Sequence, residues 1–385
     1  MMDHSLLAPS NADQWVECAG SVQMNLLAGP KTSNETAIEG DTVHDIGAEL
    51  VEGVTRGQLP GKASSKLWDT TRNGVFVTKE MVDSALMYAK HIEKLIQYTR
   101  VFGGPNIGIE RQIEIHGIHP ACFGTPDFFI YDSDEKHLTV YELKYGYGVV
   151  EVFENWQLIC YTKGIIELLG IVPEKISLIV VQPRAPHKDG PIRGWIVNNP
   201  ADLNPYFESL KQAAALAMGS SPQTKTGPHC RYCPSLLNCE TARSATDSAL
   251  DVVGGLKQST INENSLWFRI AILKRAQEMI KHELTAYESE VESKMRAGQL
   301  IPRFKMSPKM SNAFWTIPHE QIIELGKTHG HDLNVEKALT PKQAMTAGIP
   351  EDIVKAFSKR EKRGVKLELD DLKQARFVFN AGKGE

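Results

Sequence analysis

The spacing of apolar positions changes character twice along the chain. Up to about residue 101 it is helical. Pro9-Ser10-Asn11-Ala12-Asp13 has the form of a helix start, with Ser10 or Asn11 as N-cap and Trp15 and Cys18 on the helix. Ala37, Val43, Ile46, Leu50 and Val51 form an apolar stripe that predicts a helix over 37–52. Residues 53–75, rich in Gly, Lys and Ser, read as a loop, and a long helix follows over 78–101. The period then shortens. Ile107, Ile109, Ile113 and Ile115 suggest strands, as do 123–131 and 138–144, with the polar run 132–136 between the last two as a hairpin turn. A helix over 152–169, a strand over 175–182, a short strand around Trp195 and a helix over 200–217 follow. Beyond 255 the pattern changes again, to one long charged amphipathic helix over 264–297, strand-like pieces at 301–305 and 313–317, and small helices.

Helices, then a strand meander, then helix and strand predict an α/β fold with a mixed sheet flanked by helices. The breaks in character divide the chain into a first domain, 1–250, and an α-rich C-terminal region, 255–385. There is no internal repeat or low-complexity tract. No apolar run reaches the roughly 18 residues that a membrane span needs. The first nine residues lack the basic-then-apolar pattern of a secretory signal, so the expected location is the cytoplasm, without a membrane partner.

The net charge of -4 does not advertise a nucleic-acid binder, but its distribution is uneven. Residues 255–385 carry 22 Lys and Arg against 17 Asp and Glu, a net +5, which leaves -9 for the first 254. An acidic first part suits a site for divalent cations. The mildly basic C-terminal region could track phosphates, and DNA binding, oligomerisation and partner docking are all compatible with it, although an excess this small also fits an ordinary solvated surface.

Candidate chemistry lies at Gly124-Thr-Pro-Asp127 and Val140-Tyr-Glu142-Leu-Lys144. A hairpin turning near Asp134 sets Asp127 roughly opposite Tyr141 and Glu142. Glu142 and Lys144 are two apart on a strand and share a face, while Tyr141 and Leu143 point the other way, as core residues do. Two carboxylates and an ammonium therefore converge. Phosphodiester hydrolysis uses such a set: carboxylates for Mg²⁺ or Mn²⁺, and a lysine to orient water or stabilise the charged transition state. Charged residues alternate on many exposed strands, so the bare triplet is weak. Its setting among Phe, Ile, Val, Leu and Tyr makes a solvated face a poor explanation.

With these residues the segment resembles the RecB-like branch of the PD-(D/E)XK nucleases. Gly40-Asp-Thr-Val-His44 is similar to that branch's GxxxH helix motif, whose histidine is a metal ligand. Glu110 resembles its upstream acidic residue, and Gln157-Leu-Ile-Cys-Tyr161 its QxxxY motif. On residue chemistry, Gly40 permits close approach of the His44 helix, and Gln157 and Tyr161 share one helix face. The resemblance implies His44, Asp127 and Glu142 as metal ligands, with the Leu143 carbonyl as a fourth. It implies Lys144 acting on water or phosphate, Glu110 as an auxiliary carboxylate, and Gln157 and Tyr161 positioning substrate.

Six cysteines without an export signal argue against a disulfide framework. Cys122 and Cys160 sit among apolar residues and read as buried thiols. Cys230, Cys233 and Cys239 form a compact set in a Pro- and Gly-flanked loop, and Cys18 is more than two hundred residues away. On chemistry alone four thiolates suit zinc or an iron–sulfur cluster. One cysteine before the nuclease motifs and three after resembles the AddB-type and CRISPR-associated RecB-like nucleases, which implies a [4Fe-4S] cluster stapling the domain.

Over most of residues 5–380 the chain resembles a phage- and prophage-borne group of RecB-like nucleases, through Tyr141-Glu-Leu-Lys-Tyr-Gly-Tyr-Gly148, Glu154-Asn-Trp-Gln157 and Ile301-Pro-Arg-Phe-Lys305. That group commonly has Asp where Glu142 stands, and both carboxylates ligate. The expected activity is a Mg²⁺- or Mn²⁺-dependent deoxyribonuclease, an exonuclease by analogy, in phage recombination, repair or replication. DNA is the expected partner, single- or double-stranded and at ends; a phage single-strand-binding or annealing protein and further copies of the chain stay open. Tyr145, Tyr147 and Trp156 could equally stack on bases or belong to the core. The alternatives are a non-catalytic DNA-binding or recombination-partner module, and a zinc-stapled structural protein of the phage particle.

Overall fold

The structure is a computed structural model describing residues 5–28, 35–99, 106–255, 263–310, 314–331, 333, 340–346, 348–359 and 362–369. It divides into two compact units, Met1–Leu284 and Thr285–Glu385.

In the first unit a 3₁₀ turn, Pro9–Asn11, leads into α1 (Ala12–Glu17). Neither Ser10 nor Asn11 caps this helix through its side chain as expected; the turn itself makes the entry, with Asn11 N–H bonded to the Ala8 carbonyl. Cys18 lies past the end of α1, in extended backbone, rather than on it. α2 (Ser21–Ala28) and α3 (Glu35–Thr55) follow. The expected loop over 53–75 contains α4 (Pro60–Ser64) and a hairpin of β1 (Thr71–Arg72) and β2 (Val75–Phe76). Asn73 and Gly74 turn that hairpin with positive φ at both, the pairing that matches the twist of the strands.

α5 (Lys79–Tyr98) begins at Thr78, whose hydroxyl accepts from the Met81 N–H. Then come β3 (Ile107–Ile109), β4 (Ile113–Glu114), β5 (Phe123–Gly124), β6 (Phe128–Asp132) and β7 (His137–Leu143). The expected strand over 123–131 is thus two strands, because Gly124 pairs with Ile113 outside the main sheet while Phe128 pairs with Tyr141 within it. α6 (Trp156–Leu169), capped by Asn155 and stopped by left-handed Gly170, crosses over to β8 (Lys175–Val181), which lies parallel to β7. β9 (Ile192–Val197), α7 (Asn204–Ala217), α8 (Glu240–Gly255) and α9 (Glu263–Arg296) complete the series; α9 spans the division between the units.

The five-stranded mixed sheet has the order β3-β6-β7-β8-β9 and is flanked by helices, as the α/β reading expects. The alternation of strand residues builds two cores. Phe129, Leu138, Val140, Ile176 and Leu178 pack with Trp15, Leu158, Ile165 and Leu210 on one face. Phe128, Ile130, Tyr141 and Leu143 pack with Val43, Ile46, Leu50, Tyr88 and Ile92 on the other. Central β7 is covered on both sides, which explains its near-continuous apolar run.

In the second unit, β10 (Phe304–Met310) and β11 (Phe314–Trp315) precede helices α10 (His319–Thr328), α11 (Pro341–Thr346) and α12 (Glu351–Ala356). β12 (Ser358–Lys359) pairs with β11, and β13 (Lys362–Leu369) with β10. Ile322, Leu333, Ala344, Ile349 and Val354 form its small core. No helix among the described residues is long and apolar enough to cross a membrane.

Candidate metal centre

Ligands of parallel sheets collect at the carboxyl ends of the strands, and the charged residues singled out above gather at that end of β7. Glu142 has the same parity as Leu138 and Val140, so it faces α6, while Leu143 faces α3 and α5. Phe128 is paired with Tyr141, which brings Asp127 beside Glu142, one step along the ladder. Asp127 is then held by the backbone: the Leu143 N–H donates to Asp127 Oδ2 at 2.5 Å, and Asp127's carbonyl accepts from the Glu110 N–H at 3.1 Å. Glu110 follows β3 in the left-handed region, φ 43°, a costly conformation for a residue with a Cβ.

His44 arrives from the opposite helical layer. Its Nδ1 lies 3.1 Å from Asp127 Oδ1 and 3.9 Å from Glu110 Oε1. The three side chains offer ligand atoms all within 4.8 Å of one another, so the group could hold a metal ion. Gly40, expected to let this helix in, has nothing within 4 Å of a built Cβ. Close approach belongs about two helical turns later, at Gly47, where a Cβ would stand 3.1 Å from Leu143 Cδ2 and 3.3 Å from Tyr88. That contact depends on tertiary packing, which the motif spacing does not encode.

Glu142 belongs to an adjoining group. Its Oε1 is 2.7 Å from Lys144 Nζ and accepts from Gln157 Nε2 at 2.8 Å, while Lys144 Nζ also donates to Gln157 Oε1 at 3.0 Å. Glu142 Oε2 is buried and has no hydrogen-bond partner among the described residues. The compact ligand group therefore contains Glu110, assigned an auxiliary role above, while Glu142 sits beside it. Leu143 reaches the site through its N–H. Tyr161 is buried, one helical turn beyond Gln157 on α6, and near Gly124.

The electrostatics follow from crowding buried charge. Burial, then the Asp127 carboxylate, raises the Glu142 carboxyl, against the pull of Lys144. The same two causes, in the same order, push Glu110 up to about 8. Burial lowers the His44 imidazole, but Asp127 and Glu142 outweigh it and leave its pKa at about 9. For Lys144 too, burial opposes the charge and the carboxylates of Glu142, Asp127 and Asp13 more than restore it. A cation placed here would relieve the repulsion among these carboxylates.

Several participants escaped the sequence reading. Asp13 of α1 lies within electrostatic reach of Lys144. Gln182 fixes the segment after Lys144: it donates to the carbonyls of Gly146 and Gly148 and accepts from the Val150 N–H and from Arg193. The Arg184 guanidinium sits 4.2 Å from the ring centres of both Tyr145 and Tyr147 and pairs with Glu39 and Glu80, each at 3.2 Å. Tyr145 is buried and Trp156 packs edge-on against Tyr206, so of the three aromatics only Tyr147 presents a largely exposed ring. The available signal was Gln182-Pro-Arg184 directly after an apolar strand.

Cys122 and Cys160 are fully buried. The other four cysteines are brought into one neighbourhood: Cys18 Sγ accepts from the Lys225 N–H at 3.3 Å and Cys230 Sγ from the Gly227 N–H at 3.4 Å. Burial pushes the Cys233 thiol up to about 11, with Cys230, Cys18 and Cys239 adding to it. Gly20 permits the docking, since a Cβ there would stand 2.5 Å from Thr224 Cγ2. Among the described residues, no three of these sulfurs lie within 4.8 Å of one another, so they do not form a compact single-ion site.

Residues 4–359 match the family described as "Protein of unknown function (DUF2800)".

Proposed function

The chain belongs to the DUF2800 family, and for this member we propose a divalent-metal-dependent deoxyribonuclease of the PD-(D/E)XK type. The observation that carries the reading is the buried, unpartnered Glu142 Oε2 beside the His44, Glu110 and Asp127 group. A buried carboxylate oxygen without a donor is costly, and it suits a hard cation that accepts oxygen ligands. His44, Asp127 and Glu142, with Glu110 beside them and the Leu143 carbonyl added by the family resemblance, would hold Mg²⁺ or Mn²⁺. Bound there, the ion would supply Lewis-acid stabilisation of the phosphate and acidify a water.

The protein's own groups do the rest. Leu143 N–H and the β6–β7 pairing fix Asp127 in place. Gln157 bridges Glu142 and Lys144, so the ammonium stays beside the carboxylate and faces the substrate phosphate at a set position. Tyr161 supports Gln157 from the same helix face. Exonuclease action on DNA ends, in phage recombination, repair or replication, extends this reading by the family resemblance.

The direct test is end-labelled single- and double-stranded DNA incubated with Mn²⁺ or with EDTA. Cleavage is expected with Mn²⁺ only. Asp127→Asn keeps an acceptor for the Leu143 N–H but removes the charge; it is expected to abolish both cleavage and the Mn²⁺-induced rise in melting temperature, which for the wild type at 100 Kd corresponds to about 2.7 kcal/mol. DNA binding without cleavage would sink the enzyme reading in favour of a binding module.

We also propose that Cys18, Cys230, Cys233 and Cys239 hold a [4Fe-4S] cluster. The Cys18 end and the Cys230–Cys239 loop are brought together in the first unit, which supports a shared four-thiolate group. A cluster spaces its thiolates on separate irons. Protein purified without oxygen is expected to be brown and to contain iron; a colourless protein with one zinc per chain would support the other assignment.

A further inference from the structure

Helix α9 carries two distinct faces. The inner one is in use: Ala276 is buried, Met279 and His282 line an apolar pocket with Cys230 and Leu236, and Arg275 donates to the Thr226 carbonyl at 3.1 Å. On the other face Ile270, Leu273, Gln277, Ile280, Leu284 and Tyr287 follow one another at intervals of 3, 4, 3, 4 and 3 residues. This is a heptad seam, with a and d positions alternating. Its five hydrophobic members are 38–55% exposed. Scattered exposed apolar residues need no explanation; five in strict heptad register on one helix do.

The flanking charges select the occupant. With Ile270 as a, Arg269 is g and Lys274 is e in the first half, while Glu288 is e and Glu290 is g in the second. In an antiparallel pair of identical helices e faces e and g faces g, and the layers match as Ile270 with Tyr287, Leu273 with Leu284, and Gln277 with Ile280. That alignment sets Lys274 against Glu288 and Arg269 against Glu290 of the second copy, four attractive pairs by symmetry. Its one like-charge meeting is Lys281 with its own counterpart near the two-fold axis. In a parallel pair g faces e of the next heptad, so Arg269 would meet Lys274 and Glu283 would meet Glu288.

From this charge pattern we infer that α9 is the interface of a two-fold symmetric homodimer, formed by antiparallel pairing with a second copy of this chain. The interface is isologous, as closed dimers require. It stands independently of the nuclease reading, since it uses none of the residues at the metal centre. The helix is already held by its inner face, so association does not first have to order it. Gln277, the one polar residue of the seam, faces Ile280 of the second copy in this alignment and lowers the stability of the pair.

The test is sedimentation equilibrium of the full-length protein over a concentration series at low salt. Wild type is expected to show a monomer–dimer equilibrium that weakens with added salt as the flanking pairs are screened. Lys274→Glu replaces two attractive pairs per dimer by two repulsive ones and should weaken the dimer roughly ten- to thirtyfold. Adding Glu288→Lys should return the dissociation constant to within about threefold of wild type, the complementary pairs being restored. The exposed double variant Leu273→Asp/Ile280→Asp should be monomeric with unchanged circular dichroism. A wild type that stays monomeric up to about 0.1 mM overturns the proposal. So does a Lys274→Glu variant that dimerises more tightly, which is the signature of parallel pairing, or a dimer unmoved by all of these changes.

Discussion

Lys144→Ala is expected to lower the rate of DNA hydrolysis by roughly 10²–10³-fold, the usual cost of removing one preorganised charge-stabilising donor from an active site. The ammonium is fixed by Glu142 Oε1 at 2.7 Å and Gln157 Oε1 at 3.0 Å, so it is in place before substrate arrives. A group positioned in advance stabilises charge that develops during the reaction without reorganising, and its loss appears in kcat. The fold should tolerate the change. Without Lys144, and before metal binds, the buried Glu142 carboxyl, already raised by burial and by Asp127, takes up a proton rather than standing as an unpaired charge, and a bound cation would displace that proton. Single-turnover cleavage kinetics, with Mn²⁺ affinity followed in parallel by thermal shift, separates the two contributions. Slow cleavage with retained Mn²⁺ binding is the expected pattern; unchanged cleavage would remove Lys144 from the chemistry.

Trp15→Ala should cost about 3–5 kcal/mol, the range for deleting a buried aromatic side chain. Trp15 is 1% exposed, packs in the core beneath α6 and α7, and donates its indole N–H to the Ala8 carbonyl at 3.1 Å. Truncation opens a void that the surrounding sheet and helices fill only in part, and it releases the entry turn of α1. Asp13 and Cys18 flank Trp15 on the same short segment, so both the Lys144 environment and the four-cysteine region should loosen with it. Urea unfolding followed by circular dichroism reads the loss as a lower midpoint. Trp15→Phe, which keeps a ring but not the N–H, should lose much less. A loss under about 1 kcal/mol for the alanine variant would mean that this segment does not dock as described.

The sequence is most legible where a single period governs an element. The two-residue alternation through 138–144 and the polar turn at 132–136 lead directly to the β6–β7 hairpin, and with it to Asp127 beside Glu142. Helices with a one-sided stripe, α3 and α5, are legible for the same reason. Short elements are not: β1 and β2 are two residues each, and the Asn73-Gly74 turn signal was submerged in a stretch read by its composition. α8, next to the cysteines, has small and polar residues that dilute its stripe. What depends on long-range contact stays out of reach. Nothing local tells that Gly47 rather than Gly40 admits α3, or that Glu110 joins His44 and Asp127 more closely than Glu142 does. Gln182 and Arg184 organise the segment after Lys144 from just beyond the end of β8, and only the sheet order brings them there.

The docking of α1 on α6 and α7 has a consequence for how the chain is made. Trp15 leaves the ribosome well before the last of its partners, which extend to Leu210 and Ala217. At a synthesis rate of about 5–20 residues per second, it waits roughly 10–40 s for them. During that interval the amino-terminal segment is an orphan with an unburied indole and a reduced thiol, open to chaperones and oxidants alike. Early protection of Trp15 and Cys18 therefore bears on how much of the chain reaches the folded state.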